Sequence, residues 1–155
     1  MLSVAHAATG AFIANYIAHA PLAIILILTS HYLEDMVHHW DAGTGLGRGL
    51  KSRGSALTHE LVDLALTVLV VLTLFPLPEG VFAAPLELLK LPQVWGAFAA
   101  LLPDFLEAPR NFLKWEPAWL KPVSRFHKSF HRSTPDVYAG LAPQVLLLTI
   151  LFLLK

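Results

Sequence analysis

Two uncharged stretches limit what this chain can fold into. Leu64–Phe75 and Val145–Leu154 contain no ionisable residue. As helices, both are apolar around the whole circumference. Such a helix has no face for water and belongs in a large core or in lipid. Of the 155 residues 55% are hydrophobic and only 14% charged, whereas a soluble domain is about a quarter charged. A soluble bundle of this size would lack the charge to cover its surface. The expected fold is therefore all-α, a polytopic membrane helical bundle forming one domain over residues 1–155.

Five apolar segments supply the helices. Residues 3–18 form a short one. Pro21 suits the first turn of the next, where its missing N–H costs nothing, and that helix is expected to run to about His39. Residues 56–75 form the clearest span. Residues 94–102 form another, stopped or kinked at Pro103, and residues 139–154 the last, with an early break at Pro143. A full crossing takes about 20 residues, so several of the five are short or re-entrant. Met1–His6 lacks the basic region of a signal peptide and is expected to belong to the mature fold.

The basic residues orient the bundle. Gly43–Gly54 holds five glycines with Arg48, Lys51 and Arg53, and residues 107–136 hold Arg110, Lys114, Lys121, Arg125, Lys128 and Arg132. Threading five spans puts these nine of the eleven Lys and Arg on one side, which the positive-inside rule makes cytoplasmic. The expected orientation has the N-terminus inside and Lys155 outside. With zero net charge, nucleic acid is not an expected partner; membrane lipids are.

Overlaid on this topology, the acids and histidines gather at the cytoplasmic end. His31 and Asp35 are four apart and share a helix face, which His39 extends. His59 with Asp63 repeats the spacing, as does His127 with His131. Asp104 follows Pro103, and His6 begins the first segment. Ionisable groups are costly within a membrane and mark function by default. The chain has no cysteine, which leaves imidazole and carboxylate ligands, a set suited to Zn²⁺, Mn²⁺ or Fe²⁺. The metal candidates are thus His6, His31, Asp35, His39, His59, Asp63, Asp104, His127 and His131, enough for one ion or two. The competing reading is that these residues mark only where helices leave the lipid.

Other features carry less. Glu34 is expected off the His31–Asp35 face, Glu60 and Glu107 as solvated or capping groups, and one of His38 and His39 as a bystander, the spacing from Asp35 favouring His39 as the ligand. His19 lies at the outer end. Trp40, Trp95, Trp115 and Trp119 read as interfacial anchors. The glycine-rich Gly43–Gly49 lacks the Gly-Lys-Ser/Thr ending of a phosphate loop, and no nucleophile elbow is present.

Several motifs together resemble a known group. His6 with Gly10, Ser30-His-Tyr-Leu-Glu-Asp35 with His39, Gly96…Leu102-Pro-Asp104, and His127…His131-Arg-Ser133 resemble small bacterial membrane-bound metal-dependent hydrolases, distantly like zinc-dependent phospholipase C. The chain departs from that pattern after Asp104, where Phe105-Leu106-Glu107 replaces a further Asp or His. It departs again after Arg132, where Ser-Thr-Pro-Asp136 replaces Thr-His-Ser. The resemblance implies a metal, zinc foremost, and hydrolysis.

The expected activity is hydrolysis of a phosphoester, a small molecule or a phospholipid headgroup, by metal-activated water. Arg48, Lys51, Arg53, Lys128 and Arg132 are placed to clamp phosphate, and Glu34 or Asp136 to act as base. A structural or partner-binding protein with a stabilising metal is the alternative. A metal or ion transporter fits less well, because the outer half offers little that ionises beyond His19 and no inverted repeat is present. Topology reporters fused after Lys51 and after Arg125 are expected to read cytoplasmic, and one after Glu79 external. Opposite-side signals from the first two would sink the five-span threading.

Overall fold

The computed structural model describes residues 1–81 and 85–155. It contains helices α1 (Ser3–Tyr16), α2 (Ala20–Met36), α3 (Arg53–Leu74), α4 (Pro85–Leu88), α5 (Pro92–Leu113), α6 (Lys121–Phe130) and α7 (Val137–Leu154), with one 3₁₀ turn at Leu46–Arg48. Among the described residues there is no β-strand. A single parallel bridge joins His39 to Ser133.

α1 is the axis of the bundle because its side chains are small. Ten of its residues are buried, including Ala5, Ala7, Ala8, Gly10, Ala11 and Ala14. Small residues let neighbouring backbones approach closely, which is what drives helix packing where water does not. A Cβ added to Gly10 would lie 2.3 Å from the Gly96 carbonyl oxygen, and one added to Gly96 would lie 2.5 Å from the Ala14 Cβ. α1 and α5 therefore meet backbone to backbone. Around this seam Ala7 and Ala11 pack with Val71 and Leu101. Ala8 packs with Leu74 and Leu151, and Ala14 with Ile27 and Ala100, so α1 touches α2, α3, α5 and α7 in turn.

The helix ends follow local chemistry. The His19 ring accepts from the Leu22 N–H at 3.2 Å and Pro21 fills the first turn of α2. Ser52 caps α3 through the Ser55 N–H at 3.1 Å. α1 has no cap of its own. Asp63 of α3 accepts from the Ser3 and Val4 N–H groups at 2.6 and 3.2 Å, and Gln144 of α7 accepts from the Leu2 N–H at 2.8 Å.

Three expected boundaries need correction. α2 ends at Met36, and Val37 is already extended at φ −74°, ψ 137°, so His39 lies beyond the helix and not on its face. α5 runs through Pro103 and Pro109 to Leu113. Each proline removes one helical N–H, but the flanking turns are held by packing on α1 and α3. α7 likewise contains Pro143 without a break.

Among the described residues two helices, α3 and α7, are long and apolar enough to cross a membrane. Only 22% of the α3 window and 17% of the α7 window is buried inside the protein, which is not how the core helix of a soluble protein sits. Exposed Val62, Leu66 and Leu69 on α3 and Val145, Leu146, Phe152 and Leu153 on α7 belong to their outer faces. α1 and α2, of 14 and 17 residues, reach about 21 and 26 Å, short of a hydrocarbon core of about 30 Å.

Gly96→Val is expected to destabilise the bundle by about 1–3 kcal/mol, the usual cost of overpacking, because the seam offers no room. Gly47→Ala should leave the melting temperature unchanged, since a Cβ there meets nothing within 4 Å. Thermal melts of the two variants in detergent check the contrast.

Candidate metal centre

Asp35 is the hub, and it has no exposed surface. Its Oδ2 lies 2.7 Å from His127 Nε2 and 3.5 Å from His31 Nε2. Its Oδ1 lies 3.2 Å from His6 Nε2 and 3.8 Å from His39 Nε2, and is also met by the Met1 amino group. Helical spacing places His31 one turn before Asp35 on α2. Every other partner comes from elsewhere in the chain.

Two groups of side chains can each surround an ion. His31, Asp35, Asp104 and His127 form the first, and Asp35, His39 and His131 the second. In the first, Asp104 Oδ1 is 3.9 Å from His31 Nε2 and 3.6 Å from His127 Nε2. In the second, His39 Nε2 and His131 Nε2 are 3.1 Å apart. Asp41, which was not among the expected ligands, joins the second group with Oδ2 3.2 Å from both imidazoles. These three atoms form a nearly equilateral triangle. Four ligands at about 2.0–2.2 Å around a tetrahedral ion stand about this far apart.

The tautomers point to a cation. His31 Nδ1 donates to the Ala100 carbonyl at 2.8 Å and His39 Nδ1 to the Val37 carbonyl at 2.8 Å. A neutral imidazole that donates from Nδ1 has a bare lone pair on Nε2. Both Nε2 atoms face carboxylate oxygens, so a cation placed between them would meet ligands on either side. His31 Nε2 and Asp41 Oδ2 are buried and find no hydrogen-bond partner among the described residues. A backbone carbonyl that fixes the far nitrogen is also how metal-binding histidines are usually oriented.

The outlying groups fit the same balance. Burial pushes the His39 imidazole below its ordinary value, with the hydrogen bond to Asp41 opposing. Burial would raise Asp41, but the His131 and His39 rings outweigh it and the carboxyl is held well below its usual range. Burial would lower His127, yet the hydrogen bond to Asp35 and the nearby Asp104 charge carry it above the ordinary value.

The structure separates the expected site residues. It brings together His31, Asp35, His39, Asp104, His127 and His131. His6 lies just outside both groups; it stacks on His31 with centroids 4.0 Å apart and bonds Glu34 Oε2 through Nδ1 at 2.7 Å. Glu34 is therefore not a solvated base, because its carboxylate orients His6. His59 is exposed and meets the Trp40 ring edge-on at 5.9 Å, and Asp63 is spent capping α1. The i, i+4 spacing of that pair was right, but its two members point to different surroundings. Asp136 is exposed and caps α7 through the Ala139 N–H at 3.0 Å, and it does not line the cavity that opens against the centre. His38 is exposed and His39 is buried, although the burial comes from the extended segment after α2 and not from a shared helix face.

One cavity of about 810 Å³ opens against the centre and is lined by Asp41, Asp104, His127 and His131. Arg48, Arg53 and Lys128 also line it. Lys51 is turned away, donating to the Ala42 carbonyl at 3.0 Å and lying over the Trp40 ring. Arg132 is exposed and does not line the cavity, and its backbone instead joins the bridge to His39 at 3.2 Å. Glu107, expected to be a bland cap, reaches the cavity with Oε1 buried and unpartnered among the described residues.

No protein-family model, curated protein or solved structure matches the chain. What the centre does must be read from its own geometry.

Asp35→Ala is expected to remove bound divalent metal, since both groups share that carboxylate. Asp41→Ala should weaken metal binding at least about tenfold, no less than loss of a supporting partner costs, and His59→Ala should change nothing. Elemental analysis and chelator competition on detergent-purified protein make the comparison. A full metal complement in Asp35→Ala would return these residues to the role of interfacial polar groups.

Proposed function

We propose that the chain is a membrane-embedded metal-dependent hydrolase that cleaves a phosphoester, such as a phospholipid headgroup, at the cytoplasmic face of a bacterial inner membrane. The observation that carries this reading is that the ligand groups line one wall of an open cavity and Arg48, Arg53 and Lys128 line it too. A structural metal site is closed by protein ligands, whereas a catalytic one keeps a position open. Asp104 and His131 retain 31% and 32% side-chain exposure on that cavity, so the ligand groups are not sealed. The five-span threading, with the N-terminus inside, belongs to the same proposal.

Zinc suits the imidazole–carboxylate set best, with manganese or iron compatible, and one or two such ions would supply Lewis acidity and hydroxide at neutral pH. The protein's own part is positioning and charge. Arg53 donates from Nε to the Asn111 carbonyl at 3.0 Å, which steadies the guanidinium at the cavity edge and leaves its other N–H groups for phosphate oxygens. Glu107 is paired with Arg110 through Oε2 at 2.6 Å, and its free Oε1 takes the proton-accepting role expected of Glu34 or Asp136. Leu57, Leu61 and Leu64 of α3 and Phe105 and Phe112 of α5 also line the cavity, an apolar contribution that suits hydrocarbon beside a phosphate.

Purified metal-loaded protein is expected to hydrolyse one class of phosphoester in a panel of soluble and lipid-linked substrates, with competitive inhibition by a phosphonate. Arg53→Gln should raise KM by about tenfold or more, the scale of one charge-assisted hydrogen bond, with metal content unchanged. Tightly held metal with no turnover and no phosphonate binding would replace the enzyme by a structural metal protein.

A further inference from the structure

α6 presents three different bands. At about 100° per residue, buried Ser124 and His127 face the centre, and His131 follows one turn on. To one side lie Val123, Phe126 and Phe130. To the other lie Lys121, Arg125 and Lys128, all exposed. The apolar and cationic bands are thus on opposite sides of the helix, with the ligand band between them. α6 contains no acidic residue.

The apolar band is not a core face. Phe126 is 53% exposed. Phe126 and Phe130 meet the Tyr32 ring at 5.1 and 5.4 Å, which joins them to exposed Leu33 and Met36 on the outer side of α2. Just before α6, Trp115 and Trp119 stand 55% and 67% exposed. A short helix with aromatic bodies on one side, cations on the other and tryptophans beside it has the make-up of an element lying in a lipid–water boundary.

We infer that α6 docks on an anionic lipid surface, with its phenylalanine band at the acyl boundary and Lys121 and Arg125 among the headgroup charges. Charge complementarity selects the occupant: three cations without an acid favour anionic lipid over a neutral bilayer. A consequence follows for the centre. His127 belongs to the first ligand group and His131 to the second, so the element that reads the lipid holds one ligand of each. Lipid that favours docked α6 must tighten metal binding by the same factor that metal tightens lipid contact. This inference rests on the metal centre but not on phosphoester hydrolysis.

The chain has no cysteine, so Phe126→Cys gives a single site for a spin label. The full chain is reconstituted in nanodiscs of phosphatidylcholine, alone or mixed with phosphatidylglycerol. Zinc affinity is read by chelator competition and label depth by oxygen accessibility. The expected result is a label in the acyl boundary and zinc binding that tightens with anionic lipid, by up to about fivefold per cation. That gain should fade with salt and vanish in Lys121→Glu/Arg125→Glu, which should match the wild type in phosphatidylcholine. A water-exposed label, or zinc affinity indifferent to lipid charge, overturns the inference. If no zinc binds in any lipid, the metal reading falls, and the label depth alone then decides where α6 lies.

Discussion

A buried carboxylate with too many partners organises this protein. Asp35 is fully buried and is approached by nitrogen atoms from His6, His31, His39, His127 and the Met1 amino group. Burying an ionised carboxylate costs several kcal/mol after relaxation, and Asp41 and Asp104 stand close by. The Met1 amino group and the His127 ring offset this in part through hydrogen bonds to the carboxylate. A divalent cation at either group would offset it further. The backbone carbonyls of Val37 and Ala100 orient the His39 and His31 rings, which leaves Nε2 of each toward the acids.

How much of this the sequence discloses depends on whether a residue's role is set by its own helix. α1, α2, α3, α5 and α7 were legible from apolar runs, and His31 with Asp35 from the four-residue spacing, because both properties are local. Asp41 was not. His39 and Asp41 lie in extended backbone after α2, where residues two apart point to the same side, and a helical reading of that stretch hides the pairing. The acids Asp63 and Asp136 show the opposite failure. Asp63 looks like a ligand and Asp136 like a base by position, and both are caps, since a carboxylate near N–H groups and one in a site have the same sequence signature. His59 repeats a true spacing on a face that turns outward. Pro103 and Pro143 misled for a further reason: propensity is a weak prior, and packing overrides it.

The packing that overrides it also explains why the centre sits at one end. α1 is too short to fill a bilayer, but its small residues draw α2, α3, α5 and α7 close around it. Its N-terminal N–H groups would be orphans in lipid. Asp63 and Gln144 satisfy them from neighbouring helices, so the polar end of α1 is closed by side chains from α3 and α7. That same polar end is where His6 can be afforded, and His6 stacks directly on His31. Satisfying a helix terminus and assembling the centre are one structural act.

α7 completes this logic without contributing a ligand. Gly140 presses on the Trp40 backbone, 2.4 Å from where its Cβ would be, and its carbonyl accepts from the Trp40 N–H at 3.2 Å. Gln144 donates to the Trp40 carbonyl at 2.7 Å while its own oxygen accepts from Leu2. Trp40 lies between His39 and Asp41, so a helix whose outer face is apolar fixes the one extended segment that carries two ligands. Extended backbone buried inside a protein must still pair its N–H and C=O groups. The bridge to residues 132–134 on one side and α7 on the other pair those groups within the protein. The non-helical turn that brings His39 and Asp41 together can therefore exist only where α7 and the 131–134 segment enclose it.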